Sequence, residues 1–157
     1  MKKHLLPHIL IILFVFILAP TAHVASHAGE LEDAREEVRN NPDDAGAHAT
    51  LGLAYYNVGR YGESANSFVQ ALKINPNYAG AWCGLGRSAG MCDDHKTAMT
   101  AYQSAISIDP YLASAYYGLG LEYLLANDRD SAMEQYKILK NLGSGLANDL
   151  FNCIYKE

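Results

Sequence analysis

The chain has 157 residues, half of them hydrophobic, with 17 acidic and 12 basic side chains and a formal charge of −5. That length gives room for one domain. An acidic balance without a basic run repels phosphate backbones, which argues against nucleic acid as a partner.

Residues 1–28 read as a secretory signal peptide. Lys2, Lys3 and His4 form a basic start, and Ile9 to Ala19 is an apolar run of 11 residues between Pro7 and Pro20. A membrane-spanning helix needs about 20 apolar residues, so the run fits a signal core better than a span. Ser26-His27-Ala28 supplies a small-x-small cleavage site, with Gly29 as the new N-terminus; cleavage after Ser26 is the near alternative. An exported protein, periplasmic or secreted, is expected. If the segment stays uncleaved it becomes an N-terminal anchor, and the membrane is touched only there. Removing it takes away Lys2 and Lys3, leaving 10 basic against 17 acidic residues, net −7.

Glu30 to Asn40 is expected to form a short helix, with Leu31, Ala34 and Val38 at helical spacing. Asn41-Pro42 ends it, because proline disfavours helix at the residue before it. From Pro42 onward the chain repeats itself at a fixed interval. Leu51-Gly52, Leu85-Gly86 and Leu119-Gly120 keep that interval, as do Phe68, Tyr102 and Tyr136, and Pro42, Pro76 and Pro110. Each copy predicts two helices. In the first, Ala45–Tyr78, the leading helix turns Ala47, Leu51, Ala54, Tyr55 and Val58 inward, Gly59 stops it, and Ala65, Phe68, Ala71, Leu72 and Ile74 line the second. The next copy has Ala89, Asp93 and His95 in place of Tyr55, Gly59 and Tyr61. Gly80, Gly84, Gly86 and Gly90 all fall on its leading helix, where each costs about 1 kcal/mol relative to alanine. The third copy is regular, with Asp128 placed to cap its second helix. The tail restarts a helix, with Ser144 as N-cap and Leu146, Leu150, Phe151 and Ile154 as its apolar stripe.

The order Trp82-x2-Leu85-Gly86, then Ala98-x3-Tyr102, then Pro110, repeated at a spacing of about 34 residues, resembles the tetratricopeptide repeat from Pro42 to Leu142. The resemblance implies an all-α, right-handed α-solenoid of three helix hairpins. Its parts are a preceding half repeat (29–44), repeats at 45–78, 79–112 and 113–143, and a capping helix (144–157). The end pieces follow from the need to cover the open faces of such a stack.

Cys83 and Cys92, nine residues apart on one predicted helix, rise about 13 Å and cannot bridge. Cys92 and Cys153 are expected to be buried, Cys83 to face the groove. Cys92-Asp93-Asp94-His95 holds metal-ligand residue types, but a zinc site wants a second cluster and there is none. No nucleophile elbow, phosphate loop or HExxH occurs, and the acids read as scattered over outer faces. The expectation is a non-enzymatic chain without metal, catalytic residues or cofactor. Tyr55, Tyr61, Tyr102, Tyr116, Tyr123 and Tyr136 occupy packing slots.

In repeats of this family the leading helices line a concave ligand-binding groove. The resemblance therefore assigns the groove of this chain to Ala49, Leu53, Tyr56, Asn57, Gly80, Cys83, Gly84, Arg87, Gly90, Tyr117, Leu121 and Leu124. Arg87 is the one charge in this register, so an apolar or helical segment of a partner protein fits better than a carboxylate-terminated peptide. Gly80, Gly84 and Gly90 read as a bare floor for that segment, with Tyr56, Tyr117, Leu121 and Leu124 as walls. On this reading Gly84→Leu leaves folding intact and blocks binding. The alternative is a structural subunit that forms a homo-oligomer through the groove or an open end.

Overall fold

The computed structural model describes residues 27–155. The signal-peptide reading lies outside them as far as Ser26. Among the described residues eight helices follow one another and no strand occurs. Residues 27–40 are helical (α1), reaching back beyond the expected start at Glu30. Then come α2 (Ala45–Asn57), α3 (Tyr61–Ile74), α4 (Ala79–Gly90), α5 (His95–Ile108), α6 (Ala113–Leu125), α7 (Arg129–Asn141) and α8 (Leu146–Tyr155). The helices pack as consecutive pairs, α2 on α3, α4 on α5 and α6 on α7, with each pair leaning on the next and α8 closing against α6 and α7. None is long and apolar enough to cross a membrane.

The turn inside each hairpin repeats as one local solution. Gly59, Asp93 and Asn127, at matching positions of successive repeats, hold φ of +77°, +60° and +59°. Glycine enters this left-handed region freely, and Asp and Asn tolerate it better than other side chains. The following amides of Arg60, Asp94 and Asp128 then donate to the carbonyls of Tyr55, Ala89 and Tyr123 at 2.8–3.0 Å, the six-to-one bond of a Schellman close. Asp94 and Asp128 also cap α5 and α7, accepting from the amides of Thr97 and Ser131.

A second repeated device ties each leading helix to the proline turn before it. His48, Trp82 and Tyr116 share one register, and each places a ring N–H or O–H on the carbonyl of Pro42, Pro76 or Pro110, at 2.8, 2.8 and 3.1 Å. Three chemistries satisfy one acceptor. The tryptophan slot is thus filled where only a donor at the end of a flat ring is needed.

Aromatic rings lock hairpin to hairpin. The buried Phe68 ring lies 3.0 Å from where a Cβ on Gly52 of its own hairpin would sit, and 2.5 and 2.7 Å from one on Gly84 of the next. Tyr102 does the same between Gly86, at 2.8 Å, and Gly118, at 2.5 Å. At the N-terminal junction the matching slots hold Ala34 and Thr50, with neither ring nor glycine. There Tyr55 is flanked by Arg35 and Arg60, 5.5 and 4.9 Å from its centroid.

Three expectations about individual residues are overturned. Cys92 is exposed because α4 ends at Gly90, putting Cys92 in the turn. Cys153 is also exposed, since Leu150 and Ile154 take the interior side of α8. Nor do all acids lie on outer faces: Glu122 of α6 is buried.

Candidate functional site

The leading helices α2, α4 and α6 contact one another along one side of the stack. Between them runs an open cleft of about 330 Å³. From α2 come Ala49, Thr50 and Leu53, and from α4 come Gly80, Cys83, Gly84 and Arg87. Phe68 forms the floor behind Gly84, Tyr78 packs beside it next to Gly80, and Leu112 and Ser114, at the start of the third hairpin, complete the lining. Leu53 stands 46% exposed at the lip, an apolar side chain left without cover. Cys83 is buried, its sulfur 3.5 Å from the Ser114 hydroxyl. Burial pushes its thiol above the ordinary range, against the opposing effects of Ser114 and Arg87. Burial likewise raises the Tyr102 hydroxyl beneath the cleft.

Arg87 is exposed, and its guanidinium lies over the Tyr56 ring, 4.3 Å from the centroid. The other side of that aromatic pair is Tyr61, with centroids 5.2 Å apart. A cation over a ring face is held there electrostatically, and the N–H groups of Arg87 make no hydrogen bond to another described residue.

Six of the twelve residues assigned to the groove line this cleft: Ala49, Leu53, Gly80, Cys83, Gly84 and Arg87. Tyr56 borders it only through Arg87, and Asn57, the last residue of α2, is exposed outside it. Tyr117, Leu121 and Leu124 are not walls of it. They pack into the C-terminal cluster with Leu139, Leu150 and Ile154, because α8 covers that end of α6. Gly90 serves another purpose. Tyr56 and Tyr61 of the first hairpin correspond to Gly90 and His95 of the second, and Glu122 extends into the space so vacated. Its Oε1 lies 2.6 Å from a Cβ built on Gly90, and its Oε2 is 2.8 Å from His95 Nδ1.

The bare-floor reading of the glycines is therefore corrected. Gly84 and Gly118 are bare because Phe68 and Tyr102 press on them, so Gly84→Leu is a folding mutation. Of the set, Gly80 alone is both exposed and at the cleft. Sequence reasoning missed Phe68, Tyr78 and Leu112, which come from a trailing helix and from turns. The available signal was the pairing of an aromatic residue with the glycine of the next leading helix, a pairing that Ala34 and Thr50 lack.

Among the described residues no group of His, Cys, Asp or Glu is arranged to hold a metal ion. In the chain's repeats, tetratricopeptide-repeat family models match residues 45–78 and 79–111. No curated protein matches significantly. Two crystal structures of the MamA protein are similar in fold, each at 25% identity over 84% of this chain. The matches cover 73% and 78% of those chains, with TM-scores of 0.73 and 0.74. A chain of the APC/C hetero-tetramer Cut9–Hcn1 is similar at 22% identity over 84% of this chain and 27% of its own, TM-score 0.74, a likeness of fold alone.

Proposed function

We propose that this tetratricopeptide-repeat chain is a non-enzymatic interaction module that holds a segment of a partner protein against α2 and α4. Repeats of this kind form protein-interaction scaffolds. The observation that carries the reading is the cleft itself. It is open, largely apolar, and edged by an exposed leucine and a guanidinium that lies over a ring and makes no ion pair among the described residues. Clefts of this volume suit small apolar side chains of a bound segment. A photo-crosslinking residue in place of Leu53 is expected to capture a partner chain in the native host, while the same residue at exposed Asn66, on α3, captures none. Equal capture at both positions, or capture at Asn66 alone, would move the binding face away from the cleft.

Export is the accompanying proposal, supported by the basic start, the short apolar run and the small residues before Gly29. N-terminal sequencing of the protein from the exported fraction should begin at Gly29. A full-length chain retained in the cytoplasm would refute it.

A further inference from the structure

Arg87 carries more information than the rest of the cleft. Three of the four other arginines have an acid or a carbonyl. Arg35 bonds Glu32, Arg60 bonds Glu63, and Arg129 bonds the carbonyl of Ile154. Arg87 makes no ion pair among the described residues, although the chain is acidic overall. Glu122, the acid buried at the next junction, is already bonded to His95. The guanidinium is nonetheless held in place, stacked on Tyr56 at the edge of an apolar cleft. A planar cation fixed by an aromatic face presents two parallel N–H groups, the geometry that a carboxylate accepts.

We infer that the partner segment, on the reading of the cleft as its binding face, carries an Asp or Glu side chain that Arg87 receives, next to an aliphatic side chain seated over Phe68 and Gly84. Charge complementarity selects the acid. The aliphatic neighbour is selected by the apolar part of the lining, where Ala49, Leu53, Phe68 and Gly84 lie together, with the hydroxyls of Thr50, Tyr78 and Ser114 around it. The carboxylate belongs to a side chain and not to a chain end. A terminal carboxylate gripped in a repeat groove needs several donors. Among the described lining residues Arg87 is the one cation, with the Ser114 hydroxyl next to Cys83 and the Thr50 hydroxyl the other exposed donor. Phosphate is a poor fit for the same reason, because one cation offsets little of its charge.

The test is selection from a library of random seven-residue peptides displayed between fixed flanks, so that no free carboxylate is offered. Four forms of the full chain serve as bait: wild type, Arg87→Gln, Arg87→Glu and Leu53→Glu, each checked for folding by circular dichroism. Both positions are exposed, so the fold is expected to survive. Wild type should enrich an acid beside a Leu, Ile or Val. Arg87→Gln should keep the aliphatic and lose the acid, and Arg87→Glu should enrich Lys or Arg in its place. A selected peptide made as its amide should bind Arg87→Gln roughly ten-fold more weakly than wild type. Aliphatic enrichment without an acid on wild type overturns this inference and leaves the cleft as the binding face. Tighter binding by more than ten-fold when a peptide ends in a free carboxylate at the acid's position overturns the choice of a side chain. No enrichment on wild type, or enrichment that Leu53→Glu does not disturb, overturns the cleft reading as well.

Discussion

Gly84→Ala separates the two meanings a helical glycine can have. Seen from α4 alone, the substitution stabilises the helix by about 1 kcal/mol, since alanine is the better helix former. Seen from the neighbouring hairpin, the new Cβ falls 2.5 and 2.7 Å from two carbons of the Phe68 ring, well inside ordinary van der Waals contact. The ring has little room to retreat, because its other side already lies so close to Gly52 that a Cβ there would be 3.0 Å away. Overpacking of this kind costs about 1–3 kcal/mol, and partial expulsion of a phenyl group forfeits part of the roughly 1.5–3 kcal/mol its burial contributes. The two effects outweigh helix propensity, so a net loss of about 2 kcal/mol is expected in urea unfolding followed by circular dichroism. In a Phe68→Leu background the loss from Gly84→Ala should fall below about 1 kcal/mol, a coupling that a double-mutant cycle measures directly. An alanine variant more stable than wild type, or strictly additive effects, would refute the ring-on-glycine lock.

His95→Ala should cost about 1–3 kcal/mol, because it leaves the buried Glu122 carboxylate without its imidazole; adding Glu122→Ser, the residue type at the matching Ser88, should recover most of it in thermal melts. Deleting residues 146–157 removes Leu150 and Ile154 and uncovers Leu139, all at most 3% exposed. Hydrogen exchange should then show α6 and α7 losing protection far more than α2 and α3. Alkylation followed by mass spectrometry should label exposed Cys92 and Cys153 quickly and Cys83 slowly. Because burial raises the Cys83 pKa, its thiolate forms only as pH rises past the ordinary thiol range, and its labelling rate should still be climbing there.

The hairpins were legible because their signals are local. A constant interval places Leu-Gly pairs, and Gly59 or its Asp93 and Asn127 counterparts end a helix within one turn. Half of the cleft lining lies in the register that the family resemblance assigned to the groove: Ala49 and Leu53 lie one turn apart on α2, and Cys83 and Arg87 on α4. What escaped depends on neighbours distant in sequence. A glycine within a helix reads the same whether a ligand or a phenyl ring faces it, and only the pairing of Phe68 with Gly84 and Tyr102 with Gly118 tells them apart. Glu122 reads as one solvated charge until Gly90 and His95 are considered with it. Cys153 was misplaced by the rotation of α8, whose packing against α6 and α7 no repeat partner dictates.

The ring-on-glycine lock also bears on how such a chain can gain or lose a unit, because the two halves of each lock belong to different repeats. Excising residues 79–112 would bring Gly118 opposite Phe68 and rebuild a complete lock. Excising 45–78 would set Ala34 opposite Gly84 and leave the room of a whole ring unfilled. Excising 113–146 would bring Asn152 opposite Tyr102, where a Cβ has no space. Inheritance of this solenoid by whole-repeat exchange is therefore uneven along its length. Losing the central unit rebuilds the lock but strips the buried Glu122 of Gly90 and His95 and sets it beside Tyr56 and Tyr61. That seam therefore needs a change at Glu122, whereas the outer seams need one at the lock itself.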